Sequence, residues 1–170
     1  MTRIRWIITD SMEKIDLEEF NEEWNGIYGF FEMNINSQIL GFYPDRELFP
    51  NEEGNENILY WLNRFASMII HLNDSQECEM QLLSMNLTEL ILKKSAHQIV
   101  ISLVYSGNKK VIWTEKVTMQ EFEREVMCAI EKFILEIKRC NSDLVDSDMI
   151  KKLIELKAIY YESLKGSNIT

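Results

Sequence analysis

The feature that most constrains this chain is a change of hydrophobic period. Between residues 77 and 118 apolar positions alternate, whereas on both sides they recur at helical spacing. Four antiparallel strands are expected near 77–84, 87–94, 97–105 and 111–118, with Ser106-Gly107-Asn108 as the clearest turn. In the third strand Ile99, Ile101, Leu103 and Tyr105 share one face, while Val100 and Val104 occupy the other. Apolar residues on both faces mark a central strand.

Ahead of this meander, Ile58, Leu59, Trp61, Leu62, Phe65, Met68, Ile69 and Leu72 form the broad apolar face of a core helix, with Asn55 at the expected N-cap position. Behind it, Thr118 and Glu121 have the spacing of a capping box. They open a helix carrying Phe122, Val126, Met127, Ile130, Phe133, Ile134 and Ile137, and a short link leads to a second helix with Met149, Ile150, Leu153, Ile154, Tyr160, Tyr161 and Leu164. A link of that length favours an antiparallel helical hairpin, over 119–164, that could be separable. Near the start, 3–9 reads as a strand, and 27–35 with 38–43 as a hairpin around Asn36-Ser37. Residues 10–26 fit either a loop or a frayed amphipathic helix, and 44–54 is a loop bounded by prolines and Gly54. The expected fold is a single α+β domain over 1–170: mainly antiparallel sheet, packed by one central helix and the C-terminal helical hairpin.

At 170 residues and 46% hydrophobic, the chain can bury a sizeable core without a metal or disulfide staple. Three cysteines (Cys78, Cys128, Cys140), with no CxxC pair, suit a reducing cytoplasm. No apolar run approaches the roughly 20 residues of a membrane span, and the first residues lack the pattern of a secretory signal.

The net charge of −10 is unevenly placed. Residues 10–23 hold seven acids against Lys14, and residues 45–56 hold five against Arg46, which is −6 and −4. The remainder balances. Such a surface repels nucleic acid and anionic membrane and attracts a basic partner, unless it serves only to keep the protein in solution.

Motifs for catalysis are lacking. Asp45 to Glu56 has the length of a calcium loop, but Phe49 and Pro50 stand where a ligand and the sharp-turning Gly belong. His71 and His97 fall in different elements without zinc spacing, and a Cys78–His nucleophilic pair is less expected than a buried thiol. GxGxxG, GxxxxGK[ST] and GxSxG are all missing. Neither catalytic residues nor a cofactor or metal are therefore expected.

The aromatics Trp24, Tyr28, Phe42, Tyr43 and Phe49 lie within or beside the acidic stretches. A charged rim around aromatic anchors is the make-up of a protein–protein hot spot, although such aromatics could equally belong to the core. The candidate partner-binding residues are Glu18, Glu19, Glu22, Glu23, Trp24, Glu47, Phe49, Glu52 and Glu53.

The segment GIYGFFEMNINSQILGFYPDRELF, followed by NENILYWLNRF and a meander containing VIWTEKVT, resembles in layout the small bacterial immunity proteins encoded beside polymorphic toxins. The resemblance implies a cytoplasmic inhibitor that binds a cognate toxin, often a basic nuclease, and covers its active site. It carries over no catalytic residue. The alternative is a structural or regulatory subunit forming a homo-oligomer through the C-terminal helices.

Overall fold

A computed structural model describes residues 1–24, 26–82 and 87–166. Among the described residues, eight strands form two antiparallel sheets that pack with four α-helices. In the first sheet, β2 (Tyr28–Ile35) lies between β1 (Thr2–Ile8) on one side and β3 (Gln38–Phe42) on the other. The two-residue β4 (Glu56–Asn57) pairs with Tyr28 and Gly29, at the opposite end of β2 from the hairpin turn. The acidic loop 43–55 is therefore anchored at both ends beside β2. The second sheet is the expected meander, ordered β5 (Glu77–Gln81), β6 (Thr88–Ser95), β7 (Gln98–Tyr105) and β8 (Val111–Thr118). β7 is an interior strand, as its two apolar faces require. Leu83 and Ser84, the end of the first expected meander strand, lie outside the described residues.

The core forms where the inner faces of both sheets meet the helices. Phe31 of β2 stacks on Trp61 of α2 (Ile58–Asp74) with ring centroids 5.0 Å apart. Phe65, one turn on, meets Phe122 of α3 (Met119–Cys140) edge to face at 6.2 Å. Trp6 of β1 approaches Phe133 of α3 in the same manner at 5.6 Å. The second sheet adds Met80, Leu90, Leu92, Ile99, Ile101 and Leu103 to this core. Each large buried side chain contributes roughly 1.5–3 kcal/mol. α4 (Asp148–Gly166) runs antiparallel to α3, with the Tyr161 hydroxyl donating to Glu131 at 3.1 Å. It also meets α2, where the Asn63 side-chain amide donates to the Met149 carbonyl.

Two local expectations are corrected. The N-cap of α2 is Asn57 rather than Asn55, and its side chain accepts from the Tyr60 N–H at 2.9 Å. Pairing of β4 with β2 keeps the backbone extended for two further residues before the helix can begin. The second correction concerns α3. Thr118 does accept from the Glu121 N–H, but the Glu121 carboxylate accepts from the Thr2 N–H instead of returning to Thr118. One turn later Glu125 accepts from the Ile4 N–H at 2.9 Å. Two carboxylates four residues apart thus cover the outer edge of β1, which would otherwise offer an open ladder. Between residues 10 and 24, where a loop or a frayed amphipathic helix is expected, the chain forms short helical pieces: a 3₁₀ turn (Met12–Lys14), α1 (Leu17–Glu19), then a wider π-type turn (Phe20–Trp24). Asn141 donates to the Met12 and Ile15 carbonyls, at 2.9 Å each, and so ties this segment to the end of α3.

Candidate functional site

The inner face of the first sheet is spent on the core, and its outer face differs in character. Arg5 of β1 and Glu32 of β2 are direct cross-strand neighbours on that outer face. Arg5 donates to Glu32 through Nε at 3.0 Å and Nη2 at 2.6 Å, reaches Asp45 with Nη1, and lies over the Tyr43 ring at 4.3 Å. The Asp45 bond first, then Glu32, raises the already high Arg5 pKa. This one guanidinium therefore pins the entry to the acidic loop onto the sheet.

Gly41 determines what stands beside it. Its φ of +76° is left-handed, and a Cβ there would lie 2.1 Å from the Phe31 carbonyl oxygen, so no other residue fits without a shift. Register places Phe42 opposite inward-facing Phe31, yet the left-handed turn swings Phe42 outward against Phe30, with centroids 5.9 Å apart. Phe42 is 59% exposed and Ile39 56%. Both are exposed apolar side chains carried by β3.

The loop itself is built around an arginine. Arg46 forms two hydrogen bonds of 2.7 Å with the Glu52 carboxylate, and its guanidinium lies 4.4 Å from the centre of the Phe49 ring. Glu52 also accepts from the Phe49 N–H at 2.9 Å, while the Glu52 N–H donates to the Phe49 carbonyl at 3.0 Å. Asn51 takes a left-handed φ of +64° inside this turn. Arg46 first, then the Phe49 amide, holds the Glu52 carboxyl down to about 2. The result is a closed turn whose apex, Phe49, is 67% exposed. A bidentate ion pair and a cation–π stack thus hold this aromatic in place at the surface.

The sequence-predicted residues fall into distinct positions. Glu47 and Glu53 are exposed on the loop, whereas Glu52 is turned into it and acts by positioning Phe49. Glu18 and Glu19 are exposed in α1, their N–H groups capped by Asp16 at 2.9 and 3.2 Å, and Glu22 is exposed in the turn that follows. The side chains of Glu23 and Trp24 lie outside the described residues. The two acidic segments meet at their ends. Gly54 donates to Thr9 at 3.0 Å, and Asp10, which accepts from the Tyr28 N–H at 2.7 Å, has its pKa raised by burial first and also by the charge of Glu53.

Sequence reasoning missed Arg5, Glu32, Ile39 and Arg46. For Arg46 a signal was present: it is the lone base among the five acids of 45–56. Among the described residues no three potential metal ligands cluster, and no helix is long and apolar enough to cross a membrane. No family model matches the chain, and no curated protein or solved structure matches it either.

Proposed function

We propose that this protein is a non-catalytic binding module, an immunity-like inhibitor acting in the cytoplasm that captures a basic partner protein, such as a toxin, on the outer face of its first sheet. The observation that carries the reading is the presentation of Phe49. Two of the loop's charged residues, Arg46 and Glu52, are used to hold one aromatic ring out in solvent, an arrangement without benefit to the core. Glu47 and Glu53 are exposed on the same loop, and Ile39 and Phe42 are exposed apolar side chains on β3, the strand that leads into it. Capture then has two parts. The acidic field speeds encounter with a cationic surface, and burial of the aromatics slows departure.

A second reading, self-assembly through the C-terminal helices, draws on Leu135, Ile159, Tyr161 and Leu164, which α3 and α4 leave exposed. Affinity capture from the source cell's lysate at low and high salt separates the two. The inhibitor reading predicts one basic protein, retained at low salt, weakened by salt, and bound at least about tenfold more weakly by Phe49→Ala. Charge reversal at Glu47 and Glu53 should slow its association far more than it speeds dissociation. Recovery only of further copies of the bait would favour the assembly reading, and so would an unaltered partner affinity in Phe49→Ala.

A further inference from the structure

We propose that the free edge of β3 is where an extended, positively charged segment of the partner docks, adding to the first sheet as a further antiparallel strand. The inference rests on the capture reading above and states how the partner engages that sheet. The tight turn at Asn36-Ser37 fixes which backbone groups of β3 face which way. Ile35 and Gln38 close that turn as a hydrogen-bonded pair, and by alternation so do Met33 with Leu40 and Phe31 with Phe42. The N–H and C=O groups of Ile39 and Gly41 therefore point away from β2, along the outer edge. Among the described residues nothing bonds to them.

The edges at β1, β5 and β8 are covered or charged. On β1 the outward N–H groups of Thr2 and Ile4 donate to Glu121 and Glu125. On β8 the Lys116 carbonyl accepts from the Asn36 side chain at 3.3 Å, beside the charged Glu115. On β5 the Tyr60 hydroxyl donates to the Gln81 carbonyl at 3.4 Å, and Glu77 and Glu79 place carboxylates along the strand. β3, with the sequence QILGF, has no covering group, no charge and no proline. A strand edge in that state is a template for another chain.

Charge and side chains select the occupant. β3 runs directly into the acidic loop, where residues 45–56 hold five acids against one base, whereas its other end is the uncharged Asn36-Ser37 turn. Cations therefore belong at the end of the added strand that passes Phe42, which in an antiparallel strand is its N-terminal end. Two residues further on, apolar side chains fit. Gly41 has no side chain to oppose a ring across from it, and Ile39, 56% exposed, suits a β-branched cross-strand neighbour. A second copy of this chain fits less well, because each carries a net charge of −10 and the two repel.

The test titrates the protein with the peptide acetyl-Lys-Arg-Lys-Phe-Thr-Val-Thr-amide and follows backbone amides by NMR. Saturable binding is expected, with the Ile39 and Gly41 amide protons shifted and slowed in exchange. Placed with Phe across from Gly41, the peptide's Val N–H donates to the Ile39 carbonyl, whereas the N–H of the Thr before Val points away. N-methylation at Val should therefore weaken binding at least about tenfold and N-methylation at that Thr much less. Replacing the three cations by Glu should weaken it as well. The proposal fails if the peptide does not saturate at about 1 mM, if the two methylated forms bind alike, or if the acidic form binds as well. It also fails if the protein alone sediments as a dimer with the Ile39 amide protected, since a second copy then holds the edge. With the captured partner, Ile39→Pro removes the outward N–H and no bond within the sheet. Weakening by Phe49→Ala with none by Ile39→Pro would leave capture standing and overturn strand addition. Weakening by Ile39→Pro with none by Phe49→Ala would support strand addition and remove the role given to Phe49.

Discussion

The outer faces of the two sheets solve the same problem in opposite ways. On the second sheet, charges are neutralised across strands: Glu77 pairs with Lys93, Lys109 bridges Glu79 and Glu89, and Ser102 hydrogen-bonds Thr114 at 2.8 Å. Its apolar members Ile91, Val100 and Val104 are β-branched side chains recessed among these pairs. Apolar residues are exposed here as well, Val111 and Ile112 along β8. On the first sheet the ion pair is sunk instead, with the Glu32 side chain only 7% exposed, and aromatics stand outside it. The first sheet thus keeps its charges beneath and its rings above. The comparison teaches that the chain's acidity matters less than which of its charges are already satisfied.

The largest break in this comparison is at Arg5. Arg5→Met leaves Glu32 buried and unpaired, and denaturant unfolding should show a loss of about 3–5 kcal/mol, as for a buried pair cut at one partner. Adding Glu32→Leu should restore most of that loss, because two apolar side chains no longer strand a charge. Recovery of stability in the double variant without recovery of partner binding would separate the pair's role in folding from its role in placing Tyr43 and Asp45.

A pH titration gives a smaller, local effect. The Glu52 carboxyl, ordinarily near 4.5, is held down to about 2, so it binds a proton less readily folded than unfolded. Its contribution to loop stability is fully present above about pH 4.5 and is lost as pH falls toward 2. Carboxyl-carbon NMR should place the Glu52 midpoint near that lower value, and the Phe49 ring signals should broaden in the same range. Glu123 titrates in the opposite sense. Burial raises its pKa despite the hydrogen bond from Tyr160, so its ionisation opposes folding as pH rises through that elevated value.

The smallest effect belongs to the second sheet. Lys93 and Glu77 are both about half-exposed, and Lys93→Ala should change stability by less than about 1 kcal/mol. A change as large as that of Arg5→Met would erase the distinction between the two faces.

Much of this fold could be read in the residues because it rests on local period. Alternation located the meander, and its one strand apolar on both faces proved to be interior. What escaped depends on partners distant in sequence. Glu121 fits a capping box on spacing alone, and only tertiary structure shows its carboxylate at Thr2, 119 residues away. Asn55 looked like a cap because the two-residue strand that delays α2 pairs with Tyr28 and Gly29. At the candidate site, Phe49 was legible as an aromatic among acids, but its exposure was not. That exposure depends on Arg46 and Glu52, six residues apart and closed on each other by a turn at Asn51. Glu52 therefore changes from an anticipated contact residue into one that positions Phe49.

The central claim is that the first sheet's outer face and loop 43–53 form the docking surface. Hydroxyl-radical footprinting of the protein alone and with its captured partner tests this most directly. The account predicts strong protection of Phe49, Phe42 and Ile39 in the complex, with Ile91 and Ile112 of the second sheet unchanged. Protection of the second sheet, with Phe49 as reactive as in the free protein, would contradict it.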